Sequence, residues 1–290
     1  MFEFTSENGV RIHVHEWHPR IPPRGIVQIA HGMGEHAGRY AHLAEYLNAT
    51  GYIVYANDHR GHGLSMHAGP GHLGADGWNL LVADLVTVSR TALERHPGLP
   101  LILLGHSMGS FAVQQYLLEH ASLLAGAALT GTTAPERRTA EITEGGEDVD
   151  LFRTFNDTFQ PVRTEFDWLS RDERHVDAYI ADPLCGFTLD ARGAADLAQA
   201  ARRMADPRGI PSGLPLYVAV GDRDPLNARL TLSDLLVGRY RGAGLTDVTY
   251  RIYPEARHEV LNEINRDEVV ADLTRWINRV TAQRSDVPAA

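Results

Sequence analysis

Leu101-Ile102-Leu103-Leu104-Gly105-His106-Ser107-Met108-Gly109 runs from a short aliphatic stretch into a serine with a glycine two positions to either side. The aliphatic run reads as a buried strand, and Ser110 to Leu118 reads as a helix. A serine held in a sharp turn between such a strand and helix needs glycine at both flanking positions, because a Cβ there would collide with neighbouring backbone. Ser107 then stands at a helix N-terminus, where backbone N–H groups and the helix dipole favour developing negative charge. This is the strand, turn and helix setting that a G-x-S-x-G nucleophile requires, and it makes Ser107 the candidate nucleophile.

The same rhythm extends in both directions along the chain. Gly25 to Ala30, Tyr52 to Ala56, Ala125 to Leu129, Leu216 to Val220 and Val248 to Ile252 are further short apolar runs, each followed by a helical stretch. Runs of this kind are expected to be strands buried on both faces by crossover helices, so the sheet should be mostly parallel. Tyr40 to Ala49, Trp78 to Arg95 and Val269 to Val280 place apolar residues at helical spacing, and their stripes read as core. Near the start, Phe2 to Thr5 and Val10 to Trp17 flank the turn signal Asn8-Gly9 and predict an antiparallel hairpin.

Between Leu129 and Leu216 the rhythm breaks, with no convincing buried strand over a stretch too long for a plain loop. An inserted cap subdomain over residues 132–212, between core parts 1–131 and 213–290, accounts for it. Glu141 to Asp150 holds five acidic residues and two glycines without a base, and reads as a solvated, mobile link. Phe152, Phe155 and Phe159 follow at helical spacing, then Phe166, Trp168 and Leu169. That face is either the cap's own small core or an apolar wall for a substrate chain, and the spacing does not choose. Ser285 to Ala290 reads as a loose tail.

Bulk properties narrow the function. A net charge of −10, from 27 Lys and Arg against 37 Asp and Glu, argues against binding a nucleic-acid backbone and against electrostatic docking on anionic lipid. Charge leaves hydrophobic contact between the cap and a membrane or lipid aggregate open. The single cysteine, Cys185, excludes an internal disulfide framework and suits a reducing compartment. With no secretory signal or apolar stretch of membrane-spanning length in view, a cytoplasmic location is expected.

A serine hydroxyl attacks only when a base takes its proton, so a histidine and a carboxylate must converge on Ser107, and after this type of turn they follow in the order acid, then histidine. Of fifteen histidines, only His258 lies beyond His175, in a loop after the Val248 to Ile252 run. That loop is placed to swing the imidazole over Ser107 as general base. The acid is Asp222 or Asp224, both in the turn after the Leu216 to Val220 run, and spacing alone does not separate them. A tetrahedral oxyanion needs two fixed N–H donors, one from the residue after the nucleophile and one from the loop after an early strand. Met108 and Met33, the latter in Gly32-Met33-Gly34, fill those places.

Taken together, these stretches resemble the monoacylglycerol lipase and lysophospholipase branch of the α/β-hydrolases. The resemblance rests on His31-Gly32-Met33-Gly34-Glu35-His36 with Gly38-Arg39-Tyr40, Asp58-His59-Arg60-Gly61-His62-Gly63 with Ser65, Gly105 to Gly109, Gly221 to Asp224, and Arg257-His258-Glu259. It implies an α/β-hydrolase fold with an eight-stranded, mostly parallel sheet flanked by helices, a helical cap inserted after the sixth strand, and a hydrophobic channel between cap and core. It also favours Asp224 over Asp222 as the acid, and places Glu35, Arg39 and His106 near the head-group end. Ser110 departs from the family, where glycine is common, and should narrow the space behind the nucleophile.

The resulting expectation is a serine carboxylic ester hydrolase working through an acyl-enzyme on single-chain lipid esters, with no cofactor. The expected substrate contacts are Glu35, Arg39, His106, Phe155 and Phe159. His59, His62, His67 and His72 lack carboxylate or cysteine partners at ligand spacing, so no metal is expected. The same three side chains would also serve an acyltransferase, a peptidase or a carbon–carbon bond hydrolase, and a non-catalytic binding protein is the remaining rival.

Overall fold

Leu101–His106 lies fully buried inside the sheet, and its side chains alternate between two cores. Leu101 and Leu103 join one apolar cluster, and Ile102 and Leu104 join the other, on the opposite face. Each such side chain contributes on the order of 1.5–3 kcal/mol when removed from water, which is why the run behaves as a strand covered from both sides.

The protein is described here by a computed structural model covering residues 1–144 and 151–285. In chain order the strands are β1 (Phe2–Thr5), β2 (Arg11–Trp17), β3 (Gly25–Ala30), β4 (Tyr52–Asn57), β5 (Leu101–His106), β6 (Gly126–Thr130), β7 (Leu216–Gly221) and β8 (Val248–Tyr253). They form one eight-stranded sheet in the order β1-β2-β4-β3-β5-β6-β7-β8. β1 and β2 pair antiparallel, β2 pairs antiparallel with β4, and the remaining pairings are parallel.

The core helices are α1 (Ala41–Ala49), α2 (Gly77–Arg95), α3 (Met108–His120), α8 (Thr231–Gly242) and α9 (Arg266–Ser285), the intervening helices lying between β6 and β7. α1 and α9 cover one face through Leu43, Leu47, Leu273 and Ile277, while α2 and α3 cover the other through Leu81, Leu85, Val113 and Tyr116. β8 departs from the expected two-sided burial: it is an edge strand, Arg251 is exposed and Ile252 is 41% exposed. Among the described residues no helix is long and apolar enough to cross a membrane.

The insertion between β6 and β7 is helical: α4 (Pro135–Glu144), α5 (Leu151–Asn156), α6 (Glu173–Ala181) and α7 (Ala191–Met204). The expected acidic link begins as helix, since α4 continues to Glu144; residues 145–150 lie outside the described residues, as do 286–290 of the expected tail. α5 stops at Asn156, so Phe159 does not continue the helical face of Phe152 and Phe155. Pro161 lacks the N–H a longer helix would need, and the Asn156 side chain turns instead to the Thr164 carbonyl, 2.6 Å, and the Trp168 N–H, 2.9 Å.

After α6 the chain lies backbone on backbone against the core. Gly186 N–H donates to Gly34 O (3.0 Å) and Asp190 N–H to Gly71 O (3.2 Å). Gly34 and Gly71 both have positive φ, and a Cβ on them would lie 2.2 Å from Phe187 O and 2.0 Å from Thr188 O respectively. α7 then buries Leu197, Ala200 and Met204 toward the main core.

Candidate active site

Ser107 joins β5 to α3 with φ 51° and ψ −123°, a conformation that costs roughly 1–3 kcal/mol for a residue with a Cβ. Its N–H donates to Thr130 O at 3.0 Å. The flanking glycines are required by contact: a Cβ on Gly105 would lie 2.6 Å from Gly109 O, and one on Gly109 would lie 2.1 Å from Ala30 O. Ser110 is fully buried, and its hydroxyl fills the space behind the serine, donating to the Ser107 carbonyl at 2.6 Å and lying 2.8 Å from the Thr132 hydroxyl.

The turns after β7 and β8 interlock because Gly221 carries no Cβ; one there would lie 2.0 Å from Ala256 O. This brings Asp224 Oδ2 to 2.9 Å from His258 Nδ1, with the two residues 1% and 2% exposed. The other Asp224 oxygen accepts the Leu226 N–H at 2.8 Å, which fixes the carboxylate. Asp222 turns away and accepts the Glu255 N–H at 2.7 Å, stitching the two turns together at the surface. Of the two carboxylates left open by spacing, Asp224 is the one that meets the imidazole.

Burial opposes charging of His258, but the Asp224 carboxylate outweighs it, and the imidazole is held above its ordinary pKa. Ser107 and His258 line the same cavity, although the hydroxyl makes no hydrogen bond to the imidazole among the described residues. Such contacts often tighten only in the reacting complex. His106, on the strand side, has its ring centroid 4.9 Å from that of His258 and its Nδ1 3.1 Å from the Thr130 hydroxyl. Burial first and then the neighbouring His258 push His106 down to about 4, so it stays neutral where His258 takes up charge.

The loop after β3 places Met33 beside this cavity, and Met108 opens α3 on the other side of Ser107. Among the described residues the backbone N–H groups of Met33 and Met108 have no protein acceptor. The loop is braced from behind. Glu35 Oε1 accepts the Gly32 N–H at 2.5 Å and the Tyr40 hydroxyl at 2.8 Å, and Glu35 Oε2 accepts from Arg39 at 2.6 Å. Arg39 also forks onto Glu259 with two 2.8 Å bonds, linking this loop to the segment carrying His258. Burial would raise the Glu259 carboxyl, and Arg39 overrides that, holding it well below the usual range.

Ser107, His258, Met33 and Met108 open into one cavity of about 920 Å³. Glu35 and His106 also line it, and its walls include Phe111, Phe152, Phe155, Trp168, Leu189 and Leu197. Two of the expected substrate contacts lie outside the cavity wall. Arg39 does not line the cavity, because both edges of its guanidinium are engaged by Glu35 and Glu259 and its face lies 4.9 Å from the centre of the Tyr179 ring. Phe159 does not line it either: with the helix ended before it, its ring packs 4.4 Å from the Arg257 guanidinium. Phe155 serves both readings of the cap face, being 3% exposed in the apolar core and also lining the cavity.

The histidines considered for a metal take two forms. His59 and His62 are buried and packed against His31, with centroids 4.1 and 5.3 Å away, and burial pushes their pKa values down to about 3 and about 4. His72 Nδ1 lies 2.7 Å from Asp190 Oδ2. Among the described residues, His36, Asp182 and Cys185 bring potential ligand atoms within 4.8 Å of one another. His36 Nδ1 accepts the Gly38 N–H at 3.2 Å, so its proton sits on Nε2 and is donated to Asp182 at 2.9 Å, while burial pushes the Cys185 thiol up to about 12. That chemistry suits a hydrogen-bonded pair rather than a cation site.

Sequence reasoning missed the part played by the cap in holding His258. The His258 and Glu259 N–H groups donate to Trp168 O (3.4 Å) and Leu169 O (2.7 Å), Ser170 Oγ donates to Asn262 O (2.9 Å), and Arg171 pairs with Glu263 at 2.9 Å. Backbone carbonyls accept most of these bonds, and a carbonyl leaves no mark in a sequence.

A serine on a strained elbow, an Asp–His pair on successive turns and a helical insertion over their shared cavity define an α/β-hydrolase. The chain belongs to the family described as serine aminopeptidase, S33, which matches residues 21–265. It is 35% identical to the monoacylglycerol lipase of Mycolicibacterium smegmatis over 94% of this chain and 95% of that protein, and 28% identical to human monoglyceride lipase over 96% and 90%. A thermostable carboxyl esterase from Bacillus coagulans, solved in complex with glycerol, superposes with a TM-score of 0.84 at 30% identity, covering 97% of this chain and 98% of that one. The chain is an ester hydrolase of this fold.

Proposed function

We propose that the chain hydrolyses carboxylic esters bearing a single acyl chain, monoacylglycerols foremost, through an acyl-enzyme on Ser107. The observation that carries this reading is the cavity, which Ser107, His258, Met33 and Met108 line together with Phe111, Phe152, Phe155, Leu189 and Leu197. Its volume of about 920 Å³ suits a long acyl chain better than an acetyl group. Relatives named monoacylglycerol lipase support the same substrate class.

In this reading His258 removes the Ser107 proton as the hydroxyl oxygen bonds to the ester carbonyl carbon. The Met33 and Met108 N–H groups receive the resulting oxyanion, and Asp224 stabilises the imidazolium. His258 then protonates the departing alcohol oxygen as its bond to carbon breaks. Water, deprotonated by the same imidazole, attacks the acyl-enzyme, releases the fatty acid and returns the proton to Ser107. Residues 132–212 act as a cap that supplies the acyl wall.

The test is a hydrolysis panel of monoacylglycerols, lysophospholipids and simple esters of increasing acyl length, with fluorophosphonate labelling of the nucleophile. Medium or long monoacylglycerols should be preferred, and Ser107→Ala should lose both labelling and turnover while melting like the parent. Turnover confined to acetyl esters, or more than trace activity in Ser107→Ala, would overturn the reading.

A further inference from the structure

Among the described residues, two aromatic rings contact His258. One is His106, and the other is Trp168 from the cap, whose ring centroid lies 4.9 Å from that of the imidazole with a tilt of 38°. Trp168 is 5% exposed and is held from several directions: its rings pack 5.0 Å from Phe155 and 5.8 Å from Phe152, its backbone N–H donates to Asn156 Oδ1 at 2.9 Å, and its backbone carbonyl receives the His258 N–H. The indole is therefore fixed over the imidazole by the same segment that fixes the backbone of the His258 loop.

We infer that Trp168 is a positioning residue for His258: its π face orients the imidazole toward Ser107 and stabilises the imidazolium formed when the serine proton is taken. An indole is the strongest aromatic partner for a cation within about 6 Å of its ring centre, and the effect is largest where water is excluded. His106 cannot substitute, because burial keeps it neutral and its own charging is opposed by His258.

The charged groups around His258 leave this role to the cap. Asp224 faces it from the turn after β7, Glu35 from the loop after β3 and Glu259 from its own segment, while Arg39 lies locked between the two glutamates. All three carboxylates favour the imidazolium. The cap contributes the indole, which adds to the same charge state without another buried anion.

This inference rests on His258 acting as general base. Trp168→Leu and Trp168→Phe should be compared with the parent on butyryl and palmitoyl esters, alongside His258→Ala. Trp168→Leu should lower kcat about ten-fold by the same factor on both esters and move the acid limb of the kcat profile down by about half to one pH unit. Trp168→Phe, which keeps the packing but presents a weaker π face, should show a smaller shift in the same direction. A loss confined to KM that grows with acyl length would make Trp168 only an acyl wall, and an unmoved acid limb in Trp168→Phe would overturn the inference even if the leucine variant fails to fold. Retained activity in His258→Ala would instead sink the assignment of the base.

Discussion

His258 Nδ1 and Asp224 Oδ2 meet at 2.9 Å across two turns from different strands, and both side chains are sealed from solvent. A carboxylate in that position selects the imidazole tautomer with its free nitrogen on Nε2. Asp224→Asn should therefore lower kcat by about 10⁴-fold with little change in melting temperature. Asp222→Asn, altered only where it accepts the Glu255 N–H, should stay within about two-fold of the parent. Steady-state kinetics on the pair decides it, and equal losses would mean the acid is misassigned.

Because Asp224 holds His258 above its ordinary pKa, the base remains protonated to a higher pH than a free histidine would. The acid limb of kcat/KM should have its midpoint above 6.5, the ordinary value for histidine. A midpoint below 6.5, measured between pH 5 and 9, contradicts the electrostatics described.

Acid should also destabilise the fold through different histidines. Burial holds His59 at about 3 and His62 and His106 at about 4, so the unfolded chain binds protons below pH 6.5 that the native state refuses. Each then removes roughly 2 kcal/mol of stability by pH 5. His258 acts in the opposite sense, its contribution being full below pH 6.5 and lost as pH rises through its raised native value. Three such groups outweigh one, and urea denaturation at pH 7.5 and 5 should show a clear drop; equal midpoints would refute the balance.

Arg39→Met removes the cation between two buried carboxylates, 3% and 5% exposed as side chains. The expected cost is about 3–5 kcal/mol, because Glu35 and Glu259 are left buried and facing one another. Adding Glu259→Gln should recover part of it. Denaturant titration of both variants checks this, and a loss below 1 kcal/mol would mean the clamp is dispensable.

The two phenylalanines separated by the end of α5 should behave differently. Phe155→Ala should raise KM for palmitoyl esters several-fold more than for butyryl esters, whereas Phe159→Ala should leave the ratio between them unchanged, since its ring packs on Arg257 outside the cavity. A chain-length effect in Phe159→Ala would contradict this and make it a substrate contact.

The strands, the main helices and the elbow were legible in the sequence because each writes itself locally: aliphatic runs, helical stripes, and glycines whose absence would cause collision. Asp224 was legible only to within one turn, since Asp222 stands two residues away and backbone geometry decides which carboxylate turns inward. The engagement of Arg39 by Glu259 was not legible, because that partner lies 220 positions along the chain. Phe159 was read as continuing the helical face of Phe152 and Phe155, because periodicity does not show where the helix ends at Asn156. Trp168 was noticed as apolar, but its relation to His258 depends on a tertiary crossing that no spacing records.

Gly34 and Gly71 give the insertion a seat on which main chain rests directly against main chain, with no side chains between to absorb a change of shape. Exchanging this cap for one from another hydrolase is therefore less modular than the boundaries suggest. A donor whose connection follows a different path past positions 186–190 would lose that seat, and with it the register that carries the following segment into α7. A transplant should keep this connection native and vary only the helices before it.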